Sequence, residues 1–168
     1  MHLLSEVKVS YFYSTNADFK NIYSSGGGLY RLETSLEAYK NLYPFLSVGY
    51  FETSGHSQGQ QSPTKLKMVP ISPGLKYFFL EKKKLRPYLG AGILTSYLHI
   101  YNDSPYVIKV QSKWGVGGLF QGGFIAYITR SFIIDGFIDY SYMNIHFKNT
   151  RSANVSGLSI GGGLGYAF

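Results

Sequence analysis

The last stretch of the chain, Val155 to Phe168, reads VSGLSIGGGLGYAF. Taken every second residue from the end, one set is Phe168, Tyr166, Leu164, Gly162, Ile160 and Leu158. The other set is Ala167, Gly165, Gly163, Gly161, Ser159 and Gly157. A period of two is the signature of a β-strand. A soluble strand sets its apolar face against a core and turns polar groups to water. Here the face opposite the large apolar residues is uniformly small, as if it looked onto a crowded interior. A strand with its large apolar residues turned to lipid and its small ones to a filled lumen satisfies this pattern.

The rest of the chain repeats the period. Strands are predicted from Glu6 to Tyr13, Leu29 to Tyr39 and Phe45 to Phe51. Further strands follow over Leu66 to Leu80, Leu85 to Tyr101, Lys113 to Ile128 and Ile134 to Tyr142, and the terminal stretch closes the set at eight. Connections one, three, five and seven are long and polar; two, four and six are tight, as at Lys40-Asn41 and Thr129 to Ser131. An up-and-down barrel with turns at one end and loops at the other gives this alternation. Pro70 and Pro73 cannot donate to a ladder, so a bulge or an irregular upper part is expected in the fourth strand. The predicted fold is an all-β, eight-stranded antiparallel transmembrane barrel, one domain over residues 1–168.

Composition agrees. Mean hydropathy is only −0.05, and no apolar run reaches the roughly 18 residues that a membrane helix needs. Barrel strands need no such run, because lumen residues alternate with lipid-facing ones. The 16 tyrosines, 12 phenylalanines and 20 glycines suit interfacial girdles and a tightly packed β-fold. Cysteine is absent, which removes thiol chemistry. No charged and apolar leader precedes the first strand, so an export signal is expected to have been removed.

The charges sort by face. The lumen-facing set is Glu6, Lys8, Arg31, Glu33, Glu37, Lys76, Arg86, Lys113, Asp135 and Asp139, five bases and five acids. The net charge of +7 therefore falls on turns and loops, which argues against a nucleic-acid groove. A Lys or Arg on the lipid face at mid-bilayer costs about 2–4 kcal/mol, so its absence there supports the register. Phe12, Phe45, Phe51, Phe78, Tyr88, Leu119, Phe137 and Met143 also point inward. Eight strands enclose a space that side chains can fill, so the charges are expected to pair and plug it rather than line a pore. The pairing is expected toward the turn end; Lys113 lies nearer the loops, with no evident acidic partner.

Sites for chemistry are thin. Asp135 and Asp139 share a face, but four residues along a strand span about 13 Å, too far for a shared proton. His99 and His146 fall near the loop ends, where Ser96, Ser141 and Tyr101 offer no nucleophile–base spacing with an orienting acid. They are also a poor metal set. GGGLG precedes no helix and is not a phosphate loop. No enzyme, cofactor or metal is expected. Lys40, Lys82, Lys83, Lys84 and Arg130 form a basic rim in the turns; Lys20, Lys65, Lys67, Lys109, Lys148 and Arg151 would face outside. A soluble lipocalin-like carrier would need polar outward faces, which strands six and eight lack.

The runs LRPYLGAGI (Leu85 to Ile93), FIDYSYMNIHF (Phe137 to Phe147) and LSIGGGLGYAF (Leu158 to Phe168) resemble small outer-membrane β-barrels of the OmpA/OmpX/OmpW-like superfamily. The resemblance implies a Gram-negative-type outer membrane. It implies that Tyr166 and the terminal Phe168 form the signal read by the barrel assembly machinery. Outer-membrane lipid and lipopolysaccharide are then expected partners. OmpW-like members are associated with passage of small hydrophobic molecules; others are adhesins or structural anchors. Two expectations follow: a non-enzymatic barrel that passes small solutes, or a closed barrel whose loops bind an extracellular partner. A lipid-modifying enzyme is a third, less supported, reading.

Overall fold

The computed structural model describes residues 3–16, 26–56, 63–80, 84–102, 110–145 and 153–168. Within them run β1 (Leu3–Ser14), β2 (Gly26–Leu36), β3 (Leu42–His56), β4 (Pro63–Phe78), β5 (Leu85–Asn102), β6 (Val110–Tyr127), β7 (Phe132–Ile145), β8 (Ala153–Asn154) and β9 (Gly157–Ala167). Consecutive strands pair antiparallel, and β1 pairs with both β2 and β9, so the sheet closes. The short β8 and the long β9 both pair with β7 in one register and act as one interrupted strand. At the interruption the Val155 N–H donates to the Met143 carbonyl and the Thr15 N–H donates to that of Ser156. The barrel therefore has eight staves, as the alternation predicted.

The tight connections are built by local chemistry. At Lys40-Asn41 the chain reverses across a Tyr39–Leu42 bridge, and Asn41 takes φ 63°, a left-handed conformation that asparagine tolerates well. In the turn before β7, the Thr129 hydroxyl accepts the N–H groups of Ser131 and Phe132. β2 ends at Leu36, earlier than predicted, which leaves Glu37 beyond the ladder, half-buried near the turn.

Of the two forms of disruption expected in β4, the structure shows the irregular ladder and not the bulge. The strand's register is unchanged on either side of both prolines. Pairing lapses toward β3 around Val69 and Pro70, and toward β5 around Ser72 and Pro73. The physical reason is parity. Successive N–H groups of a strand point to alternate neighbours, so two prolines three apart each remove a donor on a different side. The Thr95 hydroxyl donates to the Ile71 carbonyl beside the gap at 3.0 Å.

The outer wall is apolar. Phe120 is 60% exposed and Ile160 63%, values that suit contact with lipid. Tyrosines ring the loop end at Tyr11, Tyr13, Tyr30, Tyr50, Tyr97, Tyr140 and Tyr142, with Trp114 among them. Tyr77, Phe79, Phe132, Tyr166 and Phe168 ring the turn end.

Candidate functional site: a charged layer inside the barrel

Read from turn end to loop end, the inward side chains form three layers. The first is apolar and aromatic: Leu4, Tyr43, Phe78, Tyr88, Ile125 and Ile133, with Phe137 packed against it from between Asp135 and Asp139 on β7. The last is also apolar: Phe12, Leu29, Phe45, Phe51, Leu66, Met68, Leu94, Leu98, Leu119, Met143, Ile145 and Val155. Between them lie Glu6, Lys8, Arg31, Glu33, Lys76, Asp135 and Asp139, all buried. All eight large residues predicted to point inward are buried.

Lys8 is the hub. Its ammonium lies 2.7 Å from Asp135, 2.9 Å from Glu33 and 3.2 Å from Glu6. Lys76 is paired with Glu33 and stands 3.9 Å from Glu6. Arg31 pairs with Asp139. Neutral groups complete the layer: Gln121 Nε2 donates to Glu33 at 3.2 Å, and the Tyr88 hydroxyl donates to Asp135 at 3.0 Å. Rings flank the cations, with Lys76 Nζ 4.6 Å from the Tyr88 centroid and Arg31 Cζ 4.9 Å from that of Phe137. Buried charges removed from water survive only with such partners. Asp135 pairs with Lys8 and Asp139 with Arg31, so the two carboxyls share no proton, as their spacing required.

Room for these long side chains comes from glycine on the neighbouring strand. Lys8 faces Gly163 and Glu6 faces Gly165 across β1–β9. Arg31 faces Gly49, Lys76 faces Gly90 and Tyr88 faces Gly123. A Cβ at Gly163 would stand 3.0 Å from Lys8 Cγ, and one at Gly165 2.8 Å from Glu6 Cγ. The small face of the terminal strand is thus the space into which the charges of β1 fold.

Three residues of the predicted set lie elsewhere. Arg86 sits at the turn end, where its guanidinium reaches the oxygens of Leu80, Asn41 and Tyr127 and lies 4.6 Å over Phe78. None of these partners is a carboxylate; the aromatic layer separates it from the acids of the charged layer. Glu37 is beyond β2 and outside the layer. Lys113 is half-buried in the loop half, where it is engaged rather than free. The buried layer itself therefore holds three bases and four acids, not five of each. Sequence reasoning missed Gln121 as a member, and it missed Tyr43, Ile125 and the apolar loop-half residues of β4 and β5. The signal was present in their inward parity.

Of the other candidates, His99 Nδ1 lies 2.8 Å from the Ser112 hydroxyl, a partner the spacing did not suggest. Ser96 is buried in the interior, away from it. His146 and the loop bases Lys20, Lys82, Lys83, Lys109, Lys148 and Arg151 fall outside the described residues.

No family model and no curated sequence matches this chain. Solved structures do. OprG of Pseudomonas aeruginosa superposes with a TM-score of 0.68 at 12% identity, covering 99% of this chain and 95% of that one. Ail, the attachment invasion locus protein of Yersinia pestis, solved with the heparin analogue sucrose octasulfate, gives 0.64 at 12% identity, covering 99% and 98%. The outer membrane protein W of E. coli gives 0.58 at 17% identity, covering 99% and 97%. At these identities the likeness is one of fold. Eight antiparallel staves, an apolar outer wall and a closed seam give this chain the fold of the small eight-stranded outer-membrane barrels.

Proposed function

We propose that the protein is a non-enzymatic outer-membrane barrel with a closed lumen, acting through the surface it presents at its loop end. The observation that carries this reading is the layering of the interior. Lys8 and Lys76 are 1% and 0% exposed, and apolar side chains cover the charged layer on both sides. Ions crossing would have to break pairs that water cannot reach. Reconstitution into a planar bilayer tests it, with folding verified by heat-modifiable gel mobility. A silent bilayer at neutral and mildly acidic pH is expected. Stepwise openings whose ion selectivity changes in Arg31→Gln would overturn the reading.

A second reading, passage of small hydrophobic solutes, is favoured by a different observation. The loop half of the interior is lined by apolar residues, and the ladder beside it lapses at Pro70 and Pro73. A hydrophobic fluorophore should then enter cells carrying the protein faster than cells carrying Leu98→Trp, whose larger side chain narrows that half and whose folding heat-modifiable gel mobility verifies; equal rates would remove this reading.

Tyr166 and Phe168 stand exposed on the outer wall with rings 4.8 Å apart. That exposure suits recognition by the assembly machinery. Deleting Phe168 should lower the yield of heat-modifiable barrel in cells while refolding of the purified chain is retained.

A further inference from the structure

Among the described residues, charged side chains on the outward face of the strands are confined to one place: Glu52 on β3 and Lys65 and Lys67 on β4. They form part of a row. Glu52 pairs across the ladder with Lys67, Lys67 with His99, and His99 with Ser112. Lys65 stands one outward position nearer the loops, opposite Ser54. Two residues along a strand separate Lys65 from Lys67 by about 6.7 Å, within reach of one tetrahedral anion between two flexible ammonium groups.

Among the described residues, one carboxylate, Glu52, faces the two lysines. Lys67 and Glu52 meet at 3.9 Å with side chains 50% and 42% exposed, the geometry of a weak, solvent-screened pair. The Tyr50 hydroxyl donates to Glu52 from the same strand. Ser112 holds the His99 ring through Nδ1, leaving Nε2 as its remaining polar atom.

Directly toward mid-membrane from the row lies the aromatic girdle. Val69, Tyr97 and Trp114 are paired across β4, β5 and β6, and the Tyr97 and Trp114 rings are 5.4 Å apart. Below Trp114 the wall continues with the exposed Val116. A free anion would use only the bases. A molecule with a phosphate head and apolar chains would use both the bases and the wall beneath them. We propose that Lys65, Lys67 and His99 form an outer-wall site for the phosphate group of a membrane lipid in the loop-side leaflet, its chains lying along Tyr97, Trp114 and Val116.

Trp114 is the chain's one tryptophan and stands beside the site, so it reports on the lipid there. The protein is reconstituted in phosphatidylcholine vesicles containing a minor fraction of brominated lipid, either phosphatidic acid or phosphatidylcholine. Quenching of Trp114 then measures which lipid lies against it. Phosphatidic acid is expected to be enriched about fivefold or more over phosphatidylcholine, on the scale of one surface base acting on an anionic lipid. Lys65→Gln/Lys67→Gln should bring the ratio near unity while gel mobility still reports a folded barrel. The turn-end pair Lys40→Gln/Arg130→Gln should leave the enrichment intact. Three results would overturn the proposal: equal quenching in the unaltered protein, enrichment that survives in Lys65→Gln/Lys67→Gln, or loss of enrichment in the turn-end pair. So would abolition of the enrichment by inorganic phosphate at constant ionic strength, which would assign the bases to a free anion.

Discussion

The two halves of the barrel interior are filled by opposite means. The turn half is built around ions, with Lys8, Lys76 and Arg31 among four carboxylates resting on an aromatic layer. The loop half is held by shape, with Phe12 and Phe51 edge to face at 5.3 Å and a set of Leu, Met and Ile around them. Ionic contacts are directional, and loss of one partner strands another in a medium of low polarity. Apolar contacts are interchangeable as long as volume is kept. The turn half should therefore tolerate little change in chemistry, and the loop half little change in size.

The largest effect is expected at Lys8. Lys8→Met keeps much of the volume but leaves Glu6 and Asp135 short of a cation, at a cost of about 3–5 kcal/mol. Urea unfolding in a bilayer, followed by Trp114 emission, measures it. If the variant unfolds with the unaltered protein, the ions contribute nothing and the contrast between the halves fails. A paired replacement sharpens the point. Arg31→Met and Asp139→Leu should each destabilise strongly, whereas the double variant should recover at least about 2 kcal/mol relative to the worse single, because no charge is left behind. Additive losses would show that packing, not pairing, matters there. Tyr88→Phe removes only the hydroxyl that donates to Asp135, and about 1.5–3 kcal/mol is expected from the same unfolding curves. The smallest effect belongs to the loop half: Leu98→Met, a swap of similar volume at a residue 2% exposed, should cost under about 1.5 kcal/mol. A greater loss than at Lys8 would invert the comparison.

The same contrast marks what could be read without coordinates. Where a strand alternates strongly, as in the stretch with Arg31 and Glu33 between Tyr30, Leu32 and Thr34, period two assigned both faces correctly. The barrel, its tight turns and most of the charged layer followed from that alone. Where both faces are apolar, the contrast vanishes. In β4 and β5 the buried Leu66, Met68, Leu94 and Leu98 alternate with Val69, Ile93 and Tyr97. Parity still assigned them a side, but nothing marked them as a second core. The fate of Arg86 was hidden for another reason. Its inward parity was right, but height along the barrel decides which inward groups meet, and height depends on strand tilt and stagger. At the prolines, composition warned of disruption, while alternation of donor direction confined each loss to one side of β4. The His99–Ser112 contact joins two strands whose register no local pattern specified.

The seam between β1 and β9 gives the charged layer a place in time as well as in space. Lys8 finds Glu6 on its own strand and Glu33 on the next, partners available as soon as the first hairpin exists. Asp135 comes from β7, which reaches Lys8 only when β9 docks onto β1. Arg31 likewise waits for Asp139. An open sheet thus carries charges whose counterparts are still on the far edge. Joining β1 to β9 brings these counterparts together, so the seam and the charged layer are completed by the same contact.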